Sequence, residues 1–467
     1  MNVTMLIIVL YLLAMIMIGF IYKKKASQDE VNFLVAGRSM GITIGGGALA
    51  STYASTSSFL GTLGAMHVFG IGFGLWQNIG VIIGFAVAAV FIAPRFRSFS
   101  SLSFSQFFEQ RFDKRVRGFA AFVTVITMFV YMLAQIQGGA LAMQFVLGVE
   151  YWIGVIVLGV VFITYVIMGG SHSSVIASFI QFCMMMVAMI TVAVVVFIAQ
   201  PWAETATTVV ANHGTSAFHI FGTEGPLYAL SSGFMMTLGI MSAPHVYMMF
   251  MFTKTEKVAR KTTALATSYL SVFYFSLLIV GSYIIATYPN LENSDMGYFY
   301  VLDMLPAVLI GLFIAAVLAA AMSSTDAQLL SATSAITNDL YRIFTGKTIS
   351  QNRIVFVNRC VALVIGILAI LVTLNPPDLI MFVMALAQSL MIGAFFVPLV
   401  LGLFWKRATA DAAFLGMISG FIVTVSLQFI PMPTPFLGGP IGAIVSLIVI
   451  VSVSLRSHQS FERNISQ

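Results

Sequence analysis

The sequence predicts an all-α membrane protein with thirteen transmembrane helices, and three observations carry that expectation. Of 467 residues, 60% are hydrophobic and only 8% charged, against roughly 25% charged in soluble domains. The apolar residues fall in long runs, most of them near the roughly 20 residues that cross a bilayer core. The basic residues, finally, alternate from loop to loop in the way that membrane topology demands.

The runs predict spans at 3–22, 39–66, 71–94, 117–146, 150–168, 174–199, 226–251, 263–287, 304–340, 354–374, 378–404, 411–430 and 436–455. The first has neither a basic leader nor a small-residue cleavage site, and Lys23, Lys24 and Lys25 follow it directly. It is expected to be an uncleaved span with its N-terminus outside. Odd-numbered loops are then cytoplasmic. They and their edges hold all 22 Lys and Arg. Lys23–Lys25 and Arg38 come first, then Arg95, Arg97, Arg111, Lys114, Arg115 and Arg117, then Lys254, Lys257, Arg260 and Lys261. Arg342, Lys347, Arg353 and Arg359 follow span nine, Lys406 and Arg407 span eleven, and Arg456 and Arg463 end the chain inside. Even-numbered loops carry Glu150, Glu204, Glu224, Glu292, Asp295 and Asp378 and no basic residue. One span more or fewer would invert every later loop, so the positive-inside rule supports the count. Short basic inner loops suggest the cytoplasmic membrane of a bacterium.

Composition also excludes. Cys183 and Cys360 lie in apolar runs, with neither metal spacing nor a disulfide framework. Basic residues sit in short loops and not on a face interleaved with aromatics, so nothing points to nucleic acid.

Spans two and seven are broken. Span two carries Gly45, Gly46 and Gly47 and then a hydroxyl-rich stretch from Ser51 to Ser58; span seven carries Gly233, Gly239 and Pro244. Irregular backbone at membrane depth survives only where protein or a cavity covers it. The two breaks are five spans apart. That predicts a LeuT-type core of five plus five helices in inverted repeat, each repeat opening on a discontinuous helix. The repeats are 39–199 and 226–404, the extra helices 3–22 and the pair in 411–455, all within one polytopic domain, 1–467.

Span nine is the other unusual stretch. Ala315, Ala316, Ala319, Ala320 and Ala321 lead into Ser323, Ser324, Thr325 and Asp326. Small residues let a neighbouring backbone approach. Hydroxyls and a carboxylate at this depth are costly unless they bind something. The pattern suggests a dehydrated cation held between two helices.

Four stretches resemble the sodium/solute symporter family: AAAMSSTDAQLLSATSAITNDLYR at 319–342, FLVAGRSMG at 33–41, the Pro244–His245 step, and GLFWKRAT at 402–409. Pro-His and QLLSATSAITNDLY look more like the proline, pantothenate and monocarboxylate members than the sugar members. The resemblance implies import of a small organic solute coupled to sodium by alternating access, and no enzyme activity. It implies a sodium site built from the carbonyls of Ser51, Ala54 and Ala320 and the hydroxyls of Ser323 and Ser324. A hard cation wants several oxygens, and a helix break frees carbonyls for it. The plainer alternative is that both serines bond back to the preceding turn. With the broken second span and the resemblance together, sodium is favoured. Some members are implied to hold a further ion on an Asp of the fifth core helix; in the matching GGSHSSVIASFIQ, Ser178 stands there. Asp326, three residues past Ser323, is then an indirect partner of the ion site, a proton acceptor or a structural hydrogen-bonder.

The solute is expected at the midplane beside the two breaks. Ser55, Thr56 and Ser58 are the candidates from span two; Gln77, flanked by Trp76 and Asn78, from span three; Tyr131 and Gln135, one helical turn apart, from span four; Ser242 and His245, with Thr237, from span seven. The alternatives are interfacial anchoring or packing for Trp76 and Tyr131, and a helix–helix hydrogen bond for His245. No arginine falls in this cavity, which favours a zwitterion or weakly charged solute over a dianion. Two rivals keep the membrane fold: proton coupling through Asp326, and a transporter-derived sensor, which would be expected to append a signalling domain.

Overall fold

A computed structural model describes residues 3–375 and 380–465, which leaves the predicted outer-loop residue Asp378 and the first two residues of the predicted eleventh span outside the described residues. All its regular structure is helical. In chain order the helices are α1 (Val3–Ala26), α2 (Glu30–Val35), α3 (Ile42–Tyr53), α4 (Thr62–Phe69), α5 (Ile71–Val87), α6 (Ala93–Ser98), α7 (Phe104–Arg111), α8 (Lys114–Leu147), α9 (Tyr151–Ala199) and α10 (Trp202–His213). They continue with α11 (Pro226–Ile240), α12 (Pro244–Met251), α13 (Glu256–Thr287), α14 (Gly297–Leu302), α15 (Ala307–Ser334), α16 (Tyr341–Thr345), α17 (Gln351–Thr373), α18 (Ile380–Met391), α19 (Val397–Phe404), α20 (Ala410–Leu427) and α21 (Gly438–Ile465). Among the described residues, eleven helical stretches are long and apolar enough to cross a membrane.

Three features depart from simple spans. The predicted second span is two helices, α3 and α4, with non-helical backbone at Ala54 and a π-helical turn at Ser57–Gly61 between them. Predicted spans five and six form one 49-residue stretch, α9, that turns sharply at Gly170. The segment after α9, expected as an outer loop, contains the helix α10.

Burial follows the solvent that each face meets. In α1, Leu10, Leu13, Met17, Phe20 and Ile21 are exposed, whereas Ile8, Tyr11, Leu12 and Met15 are buried where the helix packs on α9 and α15. Apolar side chains facing outward are expected where lipid is the solvent. α15 is the opposite case: every residue from Phe313 to Ser334 is buried. It packs against α8, α9, α1 and α3, and its alanines give those helices a flat, close-packing surface.

Glycine allows two of the tight features. Gly170 has φ 53° and ψ −148°, a region that side chains with a Cβ essentially do not enter. A Cβ there would also lie 2.8 Å from the Phe33 carbonyl oxygen. Gly80 of α5 and Gly233 of α11 lie against each other so closely that a Cβ on Gly80 would be 2.1 Å from the Gly233 carbonyl oxygen. This close approach lets Thr237 donate a 2.9 Å hydrogen bond to the Gly80 carbonyl.

Polar contacts tie the helices together at both ends of the bundle. On the predicted cytoplasmic side, the Arg117 guanidinium, 3% exposed, pairs with Asp339 at 2.7 Å and with Glu109. Ser103 donates to the same Asp339 at 2.9 Å. Removing one partner of such a buried pair leaves the other charge uncompensated. On the opposite side, the segment between α13 and α15 packs against α4. Asp295 accepts from the Ile380 backbone N–H at 3.3 Å, and His67 pairs with the Ser294 hydroxyl at 3.0 Å.

The Gly170 turn has a direct test. Gly170→Ala is expected to lower thermal stability in detergent by about 1–3 kcal/mol, the cost of forcing a Cβ into such backbone. An unchanged melting temperature would show that α9 does not need this turn.

Candidate ion and solute site

α3 ends where Ala54 leaves helical geometry, at φ −70° and ψ 79°. Carbonyls in the last turn then lose the N–H groups that a continuing helix would supply. Side chains take their place. Ser323 of α15 donates to the Ser51 carbonyl at 3.0 Å, and Ser324 to the Thr52 carbonyl at 2.9 Å. Ser323 also lies 3.2 Å from the carbonyl of Ala320. Ser58, from beyond the break, reaches the Tyr53 carbonyl at 3.4 Å. Five oxygens thus converge between α3 and α15: three carbonyls, on Ser51, Thr52 and Ala320, and two hydroxyls. All five residues are buried. Ala54 stands at the break itself. The Thr52 carbonyl had no sequence signal, because every residue has a carbonyl and only the partner selects one.

A second brace holds the other strand of the break. The Gln135 amide oxygen of α8 accepts from the Thr56 backbone N–H at 3.2 Å and from its hydroxyl at 2.8 Å. The Gln135 amide nitrogen donates to the Ser57 hydroxyl at 3.2 Å. Thr56 and Gln135 therefore satisfy each other. Gln135 is turned into the break, and its helix neighbour Tyr131 lines the adjoining cavity.

That cavity is small, with about 10 Å³ open to the centre of a water-sized sphere, room for about one water. Tyr53, Ser58, Thr62, Gln77, Tyr131 and Tyr274 are among its walls. Ser58 and Tyr274 share a 2.8 Å hydrogen bond, and Asn78, also a wall, donates to the Tyr274 carbonyl at 3.2 Å. Gln77 has only the Met381 sulfur, at 3.8 Å. The lining contains no charged side chain. Tyr53 and Tyr274 are ordinary aromatic positions in apolar runs and carry no sequence signal; the packing of α3 against α13 brings them together.

The second break runs from Met241 to Ala243, between α11 and α12. Ser242 there bonds back to the Leu238 carbonyl at 2.7 Å. His245 is fully buried with both ring nitrogens unpartnered. Its ring meets Tyr131 edge-on, with centroids 5.3 Å apart. Trp76 is turned away, donating to the Ile220 carbonyl at 3.0 Å and stacking on Phe221. A concavity of about 470 Å³ lies on an apolar face among Ile83, Leu227, Leu230 and Phe234. Trp76 and Thr237 line it, and none of the residues at the two breaks does.

Asp326 is one turn beyond the ion-site serines. It is buried, and neither carboxylate oxygen accepts a hydrogen bond. The hydroxyls of Ser174 and Ser178 and the amide oxygen of Gln181, all on α9, are buried and unpartnered as well. Ser174 and Tyr165 are among its polar neighbours.

Comparison with known proteins now bears on these features. The family model described as the sodium:solute symporter family matches residues 33–420. A sodium/proline symporter from Staphylococcus aureus (strain JH9) is 28% identical over 439 residues, covering 90% of this chain and 85% of its own. Among solved structures, a sodium-coupled sialic acid symporter in a substrate-bound outward-open state superposes with a TM-score of 0.83 at 20% identity. It covers 97% of this chain and 98% of its own. A nucleobase-cation-symport-1 family transporter in a closed conformation gives 0.56 at 15% identity, covering 91% and 94%. These structures share the fold. With the family's own description spanning both helix breaks and the serine-rich α15, this multi-pass membrane chain belongs to the sodium:solute symporter family, whose coupled ion is sodium.

Proposed function

We propose that this protein imports a small zwitterionic or monocarboxylate solute together with sodium, by alternating access across a bacterial cytoplasmic membrane. The observation that carries the proposal is the pairing of Ser323 and Ser324 with the carbonyls at the α3 break. The hydroxyl protons now occupy the space between these oxygens. A sodium ion taking their place would meet the oxygens of Ser51, Ala320, Ser323 and Ser324, with Thr52 or Ala54 completing the shell. It would hold α3 to α15 by ligation. The relative named as a sodium/proline symporter supports an amino acid or similar small acid as solute. Ser55, Ser58, Gln77, Tyr131 and His245 would contact it; Thr56, Gln135 and Ser242 would shape the breaks.

The cycle follows from the contacts at each end. Release of the Asp295 and His67 contacts would open the cavity outward, and release of the Arg117–Asp339 pair would open it inward. One sodium charge moving through 100 mV releases roughly 2.3 kcal/mol. At about 1.4 kcal/mol per tenfold, that sustains a solute gradient of about fiftyfold.

The crossings number thirteen in this proposal. A continuous helix of 49 residues would be about 73 Å long, more than twice a hydrocarbon core of about 30 Å. α9 is therefore two crossings hinged at Gly170, and α3 with α4 is one. The inverted repeats are then α3–α9 and α11–α19. The N-terminus lies outside and the C-terminus inside. In a background lacking Cys183 and Cys360, Gln28→Cys should be labelled by an impermeant maleimide only from the cytoplasm, and Glu204→Cys only from outside. Labelling of both from one side would break this topology.

One observation favours a second reading of coupling. Asp326 with its unpartnered neighbours is a carboxylate at membrane depth with nothing to neutralise it, and such groups carry protons or ions. It would act as a proton acceptor alongside the sodium site.

Two experiments separate these roles. Ser323→Ala or Ser324→Ala should raise the sodium concentration for half-maximal uptake roughly 10- to 100-fold, since a lost contact to a charge costs about 1.5–3 kcal/mol. Solute-induced thermal stabilisation that is equal in choline and sodium would overturn sodium coupling altogether. Asp326→Asn should remove the pH dependence of uptake at saturating sodium. A pH profile identical to that of the unaltered protein would take Asp326 out of the mechanism.

A further inference from the structure

We propose that the pocket between the start of α8 and α16 receives the phosphate headgroup of an anionic phospholipid from the inner leaflet, and that an acyl chain of that lipid lies along the exposed aromatic face of α8. The binding does not depend on the transport function proposed above; only the name of the leaflet rests on its topology.

The pocket has a volume of about 320 Å³, and five of its walls are charged: Lys114, Arg115, Arg117, Arg342 and the single acid Glu109. The four cations are not equivalent. Arg117 is buried and held by Glu109 and Asp339. Arg115 divides its guanidinium between Asp113 at 2.7 Å and Asp411 at 2.6 Å. Asp113 also caps α8, accepting from the Arg115 and Val116 backbone N–H groups, and Asp339 also accepts from Ser103. These acids are thus engaged elsewhere. Lys114 and Arg342 are left over, and both are exposed. Among the described residues, Lys114 has no hydrogen bond or ion pair, and the Arg342 side chain has only a loose contact, 4.0 Å from a Glu109 oxygen that Arg117 already holds. Two flexible cations at one concavity suit a phosphate: the guanidinium can donate to two of its oxygens at once, and the ammonium adds a point charge.

The surroundings are those of a headgroup. α8 runs from Lys114 directly into a long apolar stretch, so its first turn marks a membrane boundary. α16 exposes Tyr341, Ile343 and Phe344 beside Arg342, and aromatic and basic side chains together belong to that interface. An apolar track leads from the pocket towards the bilayer. Arg115 and Phe122 share one face of α8, two turns apart, and Phe122 is exposed. Phe119 lies beside it, with ring centroids 6.2 Å apart, and meets Phe414 of α20 at 6.4 Å. The Arg115 guanidinium stands 5.7 Å from the centre of the same Phe414 ring. On the other side Gly118 comes against the pocket wall Ile343, where a Cβ would lie 3.2 Å from Cδ1. Cations and track select together. A free phosphate meets the cations but has nothing to lay on the aromatics. A zwitterionic lipid has the tail but sets its own ammonium against Lys114 and Arg342. An anionic phospholipid satisfies both, as basic pockets at the cytoplasmic ends of membrane helices do elsewhere.

Thermal-shift titration of the purified full-length protein in a neutral detergent tests this. Dioctanoyl phosphatidylglycerol should raise the melting temperature saturably. Dioctanoyl phosphatidylcholine, with the same tails, should need roughly tenfold more for the same shift. Glycerol 3-phosphate, which has the phosphate but no tail, should give no shift at matched concentrations. Lys114→Gln with Arg342→Gln should weaken the phosphatidylglycerol response roughly 10- to 100-fold and leave the phosphatidylcholine response as it was. Lys114→Arg with Arg342→Lys, which keeps both charges, should keep most of the response. If the double Gln variant has no cooperative melt, Lys114→Gln alone, at an exposed side chain, carries the comparison, with a weakening of roughly threefold expected. Equal responses to the two lipids, an undiminished response in the folded Gln variant, or glycerol 3-phosphate acting as strongly as phosphatidylglycerol would overturn the inference. The last result would assign the pocket to a free phosphate. Neither sodium nor solute enters these titrations, so a failure of sodium coupling leaves their outcome unchanged.

Discussion

The structure depends on how a polar helix break is made tolerable inside a membrane. α3 stops at Tyr53, in the middle of buried protein, and its last carbonyls lose their helical donors. In lipid such groups cost several kcal/mol each unless another part of the chain pairs with them. Ser323, Ser324 and Ser58 supply the pairing for the carbonyls, and Gln135 supplies it for the far side of the gap. The break is thus a set of interactions reaching across four helices. Replacing a hydroxyl proton by a cation at this place exchanges one set of oxygen partners for another, and a site built this way can sense an ion without an acidic ligand.

Close packing makes the pairing possible. α15 brings alanines to the surfaces it shares with α1, α3, α8 and α9, so the serines reach across with little slack. Glycines do the same between α5 and α11. The solute cavity inherits this tightness. The cavity has room for about one water, and contacts lie on either side of it, the Arg117 ion pairs at one end and those of Asp295 and His67 at the other. A solute much larger than water must separate these elements to enter, which ties binding to the opening motion.

The polar groups without partners divide into two clusters with different chemistry. Asp326 on α15 and Ser174, Ser178 and Gln181 on α9 are acceptors and hydroxyls without partners on two helices that pack together. Ser55, His245 and the Asn78 amide oxygen are neutral; Asn78 walls the solute cavity, and His245 meets Tyr131 edge-on. Both are buried, so each unmet group bears a desolvation cost that a ligand can recover. Thr56 and Gln135 show the contrast: they are equally polar and equally buried, and fully occupied with each other.

The sequence by itself determined the apolar spans, the alternation of basic loops, the two breaks and the serines that meet one of them. These rest on period, composition and residue type, which are local properties of the chain. It singled out the α15 serines because hydroxyls beside small residues are rare at membrane depth, and Ser51 and Ala54 through the resemblance to the symporter family. Only the tertiary structure decided which groups satisfy one another. Ser324 finds Thr52 across 272 positions, and nothing in either residue's neighbourhood names the other. Spacing put Tyr131 and Gln135 on one face of α8, but a neighbouring break claimed Gln135 and left Tyr131 at the cavity. Partner choice is a property of packing between distant segments, and a hydrogen bond depends on positions to within a few tenths of an ångström. A one-dimensional pattern carries the face of a helix, but not that distance.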